Sequence, residues 1–277
     1  MEADPLKAIR LASILLLALG ICAPVNHTVQ AQGGKKRLLF IGAVKGFQHD
    51  ATSYAMGTVW RLGKRSGLWD TYFRTDTQLI TKQELSANAK NLDYFDAVMF
   101  YTTGELDMND EQKAALLNFV REDGKGFVGV HSATDTFYQW PEYGEMIGGY
   151  FDGHPWNTFQ APILIEDADN PIVNHFGASF TVLDEIYQLR DFSREKVRVL
   201  MRLDESKVDL TQNGINRTDK DWAVAWIRQY GRGRVFYSTL GHTEQSWARP
   251  KVQKMWLEAV KYCMGFTEAD ATPRPRP

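Results

Sequence analysis

The stretch Phe127 to Asp135, FVGVHSATD, sets an apolar run directly against a polar, titratable cluster. A buried strand would leave its sheet at this point, so His131 stands where an imidazole could bind a metal ion or move a proton. Three more histidines occupy comparable places. His49 follows an apolar run through GAVKGFQHD, His154 lies in the glycine-rich GGYFDGHP, and His242 closes YSTLGH. Neutral imidazoles are ready ligands for zinc or a similar divalent ion, and three of them with an open position make a Lewis acid that polarises a carbonyl or activates water. His49, His131 and His242 are the ligand set this pattern suggests, with His154 joining them or serving as acid and base. The spacing carries no HExxH-type signature. A metal-free histidine pair transferring protons, His131 among them, is the competing reading. His27 and His175 carry no comparable signal.

Carboxylates adjoin these segments. Asp50 and Asp135 could orient an imidazole or act as general base, although a helix N-cap is the stronger reading for Asp50. Glu185 in DEIYQ is the candidate base, because an acidic pair before the apolar Ile186 has little other purpose on a strand; a solvated strand end is the alternative. Substrate recognition would fall to Tyr101, Trp140, Trp156, Tyr187, Gln188 and Trp247. Sugar C–H faces stack on indole and phenol rings, while amides satisfy sugar hydroxyls. The chain's 8 Trp, 11 Tyr and 15 Phe suit such a pocket, though an α/β core would absorb most of them.

The elements needed to position these groups follow from the hydropathy pattern. KKRLLFIGA, WDTYFRTD, YFDAVMFYTTG and GKGFVGVHS read as strands. DATSYAMGTVWRLGKRSG, capped by Asp50, and Met108 to Glu122, opened by Asn109 and Asp110, read as helices between them. This alternation predicts a mostly parallel sheet with helices on both faces. From Tyr143 to about Leu210 strands follow one another without long helices, which predicts a small antiparallel annex packed on the parallel core. DWAVAWIRQYGRGRVFYSTLGH reads as a hairpin turned at Gly231 to Gly233, and Arg249 to Met264 as the closing helix. Ligands of such sheets bind beyond the carboxyl ends of the strands, where His49, His131 and His242 fall.

Composition narrows the function further. With 32 basic against 34 acidic side chains in 277 residues, the charge gives no reason to expect nucleic acid. Lys7 and Arg10 precede the apolar run Leu11 to Ala23, and small residues precede Gln32, so residues 1–31 read as a secretory signal peptide cut after Ala31. The run is too short for a comfortable membrane span, and Ile21 before Cys22 disfavours a lipoprotein signal. The mature protein is therefore expected to be exported, periplasmic or secreted, with no membrane span. Its one remaining thiol, Cys263, lies on the closing helix at core spacing and is no nucleophile. GAVKGFQHD lacks the spaced glycines of a dinucleotide fingerprint, so no nucleotide cofactor is expected. Residues 36–266 read as one domain, and the proline-broken 267–277 as a disordered tail.

GVHSA, Gly129 to Ala133, has the spacing of a nucleophile elbow with His131 in the middle. Together with FIGAVKGFQHD, GKGFVGVHSATD, GGYFDGHP, NPI, DEIYQ and GRGRVFYSTLGH, in this order, it resembles the trehalose-utilization, or ThuA-like, family over nearly all of Arg37 to Gly265. The resemblance implies a flavodoxin-like three-layer α/β sandwich of the class I glutamine amidotransferase type, and it adds weight to the acidic pair at Glu185. Relatives of that fold carry cysteine on the elbow. Here His131 replaces it, so thiolate glutaminase chemistry is unavailable. The resemblance further implies work on a keto-sugar or 3-keto-glycoside, in concert with a sugar dehydrogenase, by hydrolysis, elimination or isomerisation. A non-catalytic carbohydrate-binding or interaction module of an exported sugar-oxidation system is the alternative.

Overall fold

The computed structural model describes residues 34–86 and 89–276; residues 1–31, expected from the sequence to be a signal peptide, lie outside them. Five strands run parallel at the centre. They are β1 (Lys36–Ile41), β2 (Trp69–Arg74), β3 (Ala97–Phe100), β4 (Gly126–Val130) and β11 (Gly233–Ser238), in the order β2-β1-β3-β4-β11. The sheet continues past β11 through β10 (Ala223–Tyr230), β9 (Arg198–Leu203), β6 (Thr158–Ile165) and β7 (Ser179–Glu185), each antiparallel to its neighbour. Two short strands, β5 (Tyr150–Phe151) and β8 (Leu189–Arg190), form a separate antiparallel pair.

Burial of both faces explains the apolar runs. In β1, Leu38 and Phe40 enter one core while Leu39 and Ile41 enter the other; β3 divides Ala97 and Met99 from Val98 and Phe100 in the same way. The first core receives α1 (Ala51–Ser66) and α5 (Pro250–Cys263); the second receives α2 (Asp110–Arg121) and α3 (Pro141–Ile147). This is the three-layer sandwich. Helix α2 starts on a reciprocal capping box between Asn109 and Gln112. Asp50 holds the N-cap position of α1, but its side chain makes no capping hydrogen bond. Two short helices, α3 and α4 (Glu244–Ala248), were not read from the sequence, because five to seven residues are too few to show a period.

The antiparallel strands extend the sheet edge to edge instead of forming a layer of their own. In a flat sheet β7 would lie four strand spacings, about 19 Å, from β11. Yet Asp184 on β7 accepts hydrogen bonds from the backbone N–H groups of Gly241 and His242, just past β11. The antiparallel half must therefore curl back, and its β9–β10 ladder shifts register between Ala223 and Trp226, where such a bend belongs. The direction of β7 then brings its carboxyl end, Glu185, to the edge reached by β1, β4 and β11. The tail has no regular secondary structure but is tied down: Arg274 donates to the Glu166 carbonyl, and Arg276 pairs with Glu205.

Two glycines test this packing in opposite directions. A Cβ on Gly126, at the start of β4, would enter the van der Waals radius of the Cys263 carbonyl. Gly126→Ala should cost about 3 kcal/mol in a denaturant titration. On α1 a Cβ at Gly57 would meet only the Arg61 guanidinium at 3.4 Å, so Gly57→Ala should stabilise by about 0.5–1 kcal/mol.

Candidate metal centre

Three chain segments deliver imidazoles to the carboxyl edge of the parallel strands. The loop after β1 is strapped to the end of β3, with Lys45 N–H donating to the Thr103 carbonyl at 2.9 Å and the Thr103 hydroxyl to the Phe47 carbonyl at 2.9 Å. This fixes His49 just before α1. Strand β4 ends at Val130, and His131 follows at φ 43°, opening a 3-10 turn over His131–Thr134. A left-handed φ on a non-glycine residue is the strained conformation of a nucleophile elbow. It is held by the Tyr237 hydroxyl, which donates to the His131 carbonyl at 2.6 Å. Gly129 leaves room for this, since a Cβ there would stand 2.9 Å from both Ile147 and Tyr237. His242 follows Gly241, whose φ is 131°.

The side chains converge. Each of His49, His131, Glu185 and His242 offers a ligand atom, and these atoms lie within 4.8 Å of one another. His131 Nε2 is 3.2 Å from His242 Nδ1 and 3.6 Å from Glu185 Oε2, which in turn is 3.4 Å from His242 Nδ1. A tetrahedral ion with ligands at about 2.1 Å has ligand-to-ligand edges of about 3.4 Å, so this donor set could hold a metal. The partner of the opposite ring nitrogen supports the fit. His131 Nδ1 lies 2.5 Å from the Thr239 carbonyl, which can only accept, so Nδ1 carries a proton and Nε2 is the nitrogen turned to the cluster, where a neutral ring offers its lone pair. Burial, followed by the neighbouring His131, His242 and His154, pushes the pKa of His49 down to about 2, leaving that ring neutral. Burial likewise lowers His242. Glu185 is raised by burial but lowered by more through His131, His242 and His154, and its carboxyl stays below the usual range.

A cavity of about 300 Å³ opens at this cluster. Its lining comprises His49, His242 and Glu185, the rings of Phe47, Phe151 and Tyr187, and the polar pair Asp135 and His154. His154 Nδ1 sits 3.3 Å from Glu185 Oε1, and its side chain is 39% exposed. The Asp135 carboxylate accepts from the Tyr138 hydroxyl at 2.6 Å, and burial raises its pKa. The Tyr187 hydroxyl lies 2.7 Å from His131 Nε2.

Several residues expected from the sequence take other places. His131, expected both as metal ligand and as catalytic group, stands in the donor cluster but is fully buried and does not line the cavity. Asp135 lies on the cavity instead of behind an imidazole, and Asp50 belongs to neither group. Of the expected sugar contacts only Tyr187 is in the lining. Trp247 stacks on Trp256 in the core, at 4.9 Å and 14°, and Trp140 packs on Phe137 and Tyr143. The Trp156 indole donates to the Asp209 carbonyl and packs on Trp222. The buried Gln188 amide binds the Asp152 and Gly214 carbonyls and the Asn216 N–H. Tyr101, also buried, donates to the Gly241 carbonyl at 2.7 Å and supports His242 from below the site. Phe47, Phe151 and Asp184 were missed. Phe47, 63% exposed, was the most legible, as an aromatic between Gly46 and His49 on a strand-end loop.

Cys263 is buried near the start of β4, at the end away from His131, where its thiol donates to the Phe127 carbonyl and burial pushes its pKa up. It takes no part in the site. Among the described residues no helix is long and apolar enough to cross a membrane.

Comparison with solved structures supports the architecture. A ThuA-like protein from Bacteroides uniformis ATCC 8492 superposes with a TM-score of 0.70 at 18% identity, covering 87% of this chain and 95% of that one. One from Parabacteroides merdae ATCC 43184 gives 0.66 at 17%, covering 87% and 98%. The carbohydrate deacetylase Agd3 gives 0.52 at 12%, covering 83% of this chain and 32% of that one. At these identities the likeness concerns the fold alone. No curated protein matches the sequence. The model of the ThuA family, described as trehalose utilisation, matches residues 37–263. The match spans the sheet, the elbow and all four residues of the cluster, and the chain belongs to the ThuA family.

Proposed function

We propose that this protein is an enzyme of carbohydrate metabolism that acts on a keto-sugar or 3-keto-glycoside at a divalent metal held by His49, His131, His242 and Glu185. The observation that carries this reading is the convergence of those four donors at a cavity of about 300 Å³, near the lower end of the size range for small-molecule sites. A bound divalent ion would polarise a sugar carbonyl or hydroxyl oxygen and so acidify the neighbouring C–H or loosen the glycosidic bond.

The chain's own groups supply the rest. Phe47 and Phe151 offer apolar faces to the sugar ring. His154, exposed and beside Glu185 Oε1, can carry a proton between the sugar and solvent. Asp135, with its pKa raised by burial and one oxygen held by Tyr138, is the second acid or base. Glu185, expected from the sequence to be the base, is better used as a ligand, because Oε2 faces two imidazoles. Hydrolysis, elimination and isomerisation all fit this assignment. With residues 1–31 as an export signal, the reaction would occur outside the cytoplasm, on a sugar first oxidised by a dehydrogenase.

Elemental analysis of the mature protein should find about one equivalent of a divalent metal, and a chelator should abolish turnover of 3-keto-disaccharides. His131→Ala should lose both metal and turnover yet keep sugar affinity within about tenfold, since the stacking contacts lie elsewhere. Protein that binds sugars and never converts a keto-sugar at any metal loading would be a binding module instead. Asp184→Asn is the sharper probe of architecture. Its amide would set an NH₂ against one of the backbone N–H groups that the carboxylate now accepts. Metal affinity measured by calorimetry should fall at least tenfold.

A further inference from the structure

His131 Nε2 has one lone pair, because the Nδ1 proton is committed to the Thr239 carbonyl. The hydroxyl of Tyr187, 2.7 Å away, is placed to donate to it, and His242 Nδ1 stands farther off at 3.2 Å. That lone pair is also the one a metal ion must take. The tyrosine ring has little freedom to withdraw: it packs at 4.3 Å from the His131 ring and 4.4 Å from Phe151. Only the O–H bond can swing. Among the described residues His131 Nε2 is the one hydrogen-bond partner of this hydroxyl, and Tyr187 itself lines the cavity.

We propose that Tyr187 and the metal ion exchange on His131, so that loading the site releases the Tyr187 O–H from the imidazole and turns it into the cavity as a hydrogen-bond donor for a ligand oxygen. The inference rests on the metal reading above. A buried hydroxyl that loses its acceptor must find another, and the cavity is where an oxygen-rich ligand would supply one. Tyr187 then contacts substrate only in the loaded protein.

Calorimetry with Zn²⁺ alone, on the full chain, separates the outcomes. Tyr187→Phe removes the shorter of the two hydrogen bonds at Nε2, so the variant should bind zinc roughly two- to tenfold more tightly than wild type. Unchanged or weaker binding in a folded Tyr187→Phe protein overturns the exchange while leaving the metal reading intact, provided His131→Ala abolishes binding. Wild-type protein that takes up no zinc overturns both. If the phenylalanine variant does not fold, the ultraviolet difference spectrum of wild type decides. Zinc should perturb tyrosine absorption as the hydroxyl changes partner, and a spectrum without tyrosine signals contradicts the proposal.

Discussion

The site depends on one buried carboxylate. Asp184 is inaccessible to solvent, and its oxygens accept the backbone N–H groups of Gly241 at 2.8 Å, His242 at 2.9 Å and Glu185 at 3.0 Å. The bonds from Gly241 and His242 join the last residues of β7 to the turn after β11, two segments that the order of strands would keep far apart. Burial alone would make Asp184 a weak acid, and its pKa is raised; the N–H donors are what make the position tenable. Because Glu185 is the next residue along β7 and His242 is one of the donors, the same two bonds set the Glu185 carboxylate beside two imidazoles. The curl of the antiparallel half is thus a requirement of the site as well as a matter of sheet twist.

The elbow supplies the second constraint. A residue at φ 43° in place of glycine costs on the order of 1–3 kcal/mol, and it persists only where its surroundings hold it. Tyr237 donates to the His131 carbonyl, Tyr143 to the Ala133 carbonyl at 2.7 Å, and Thr239 accepts from the ring. The strain aims an imidazole whose tautomer is fixed, with no solvent near it. A thiol on this turn would serve as a nucleophile if exposed. The histidine is buried under His49 and His242, and its position suits coordination.

Much of this was legible in the sequence because the physics is local. Runs such as LLFI and AVMF have to be buried on both faces, so the parallel sheet follows, and Asn109 with Gln112 states where α2 begins. Three of the four aligned histidines could be placed together because parallel strands share a carboxyl edge. What could not be read depends on contacts between distant segments. Trp140, Trp156 and Trp247 have the composition of a sugar site, yet a tryptophan serves a core equally well, and only packing decides; all three are held by indole or ring neighbours away from the cavity. The antiparallel strands were recognised, but their union with the main sheet and their return toward β11 require the Asp184 bonds. Asp184 itself looked like half of an acidic pair whose functional member was Glu185. Phe47 lay within a motif that was noticed for its histidine.

Anomalous diffraction from crystals of the zinc-loaded protein tests the central claim most directly. The account predicts one peak lying between the His49, His131 and His242 rings and the Glu185 carboxylate, at about 2.0–2.2 Å from each donor atom. A peak elsewhere, as at His175, or no peak within the cluster under conditions that load the protein, would contradict it.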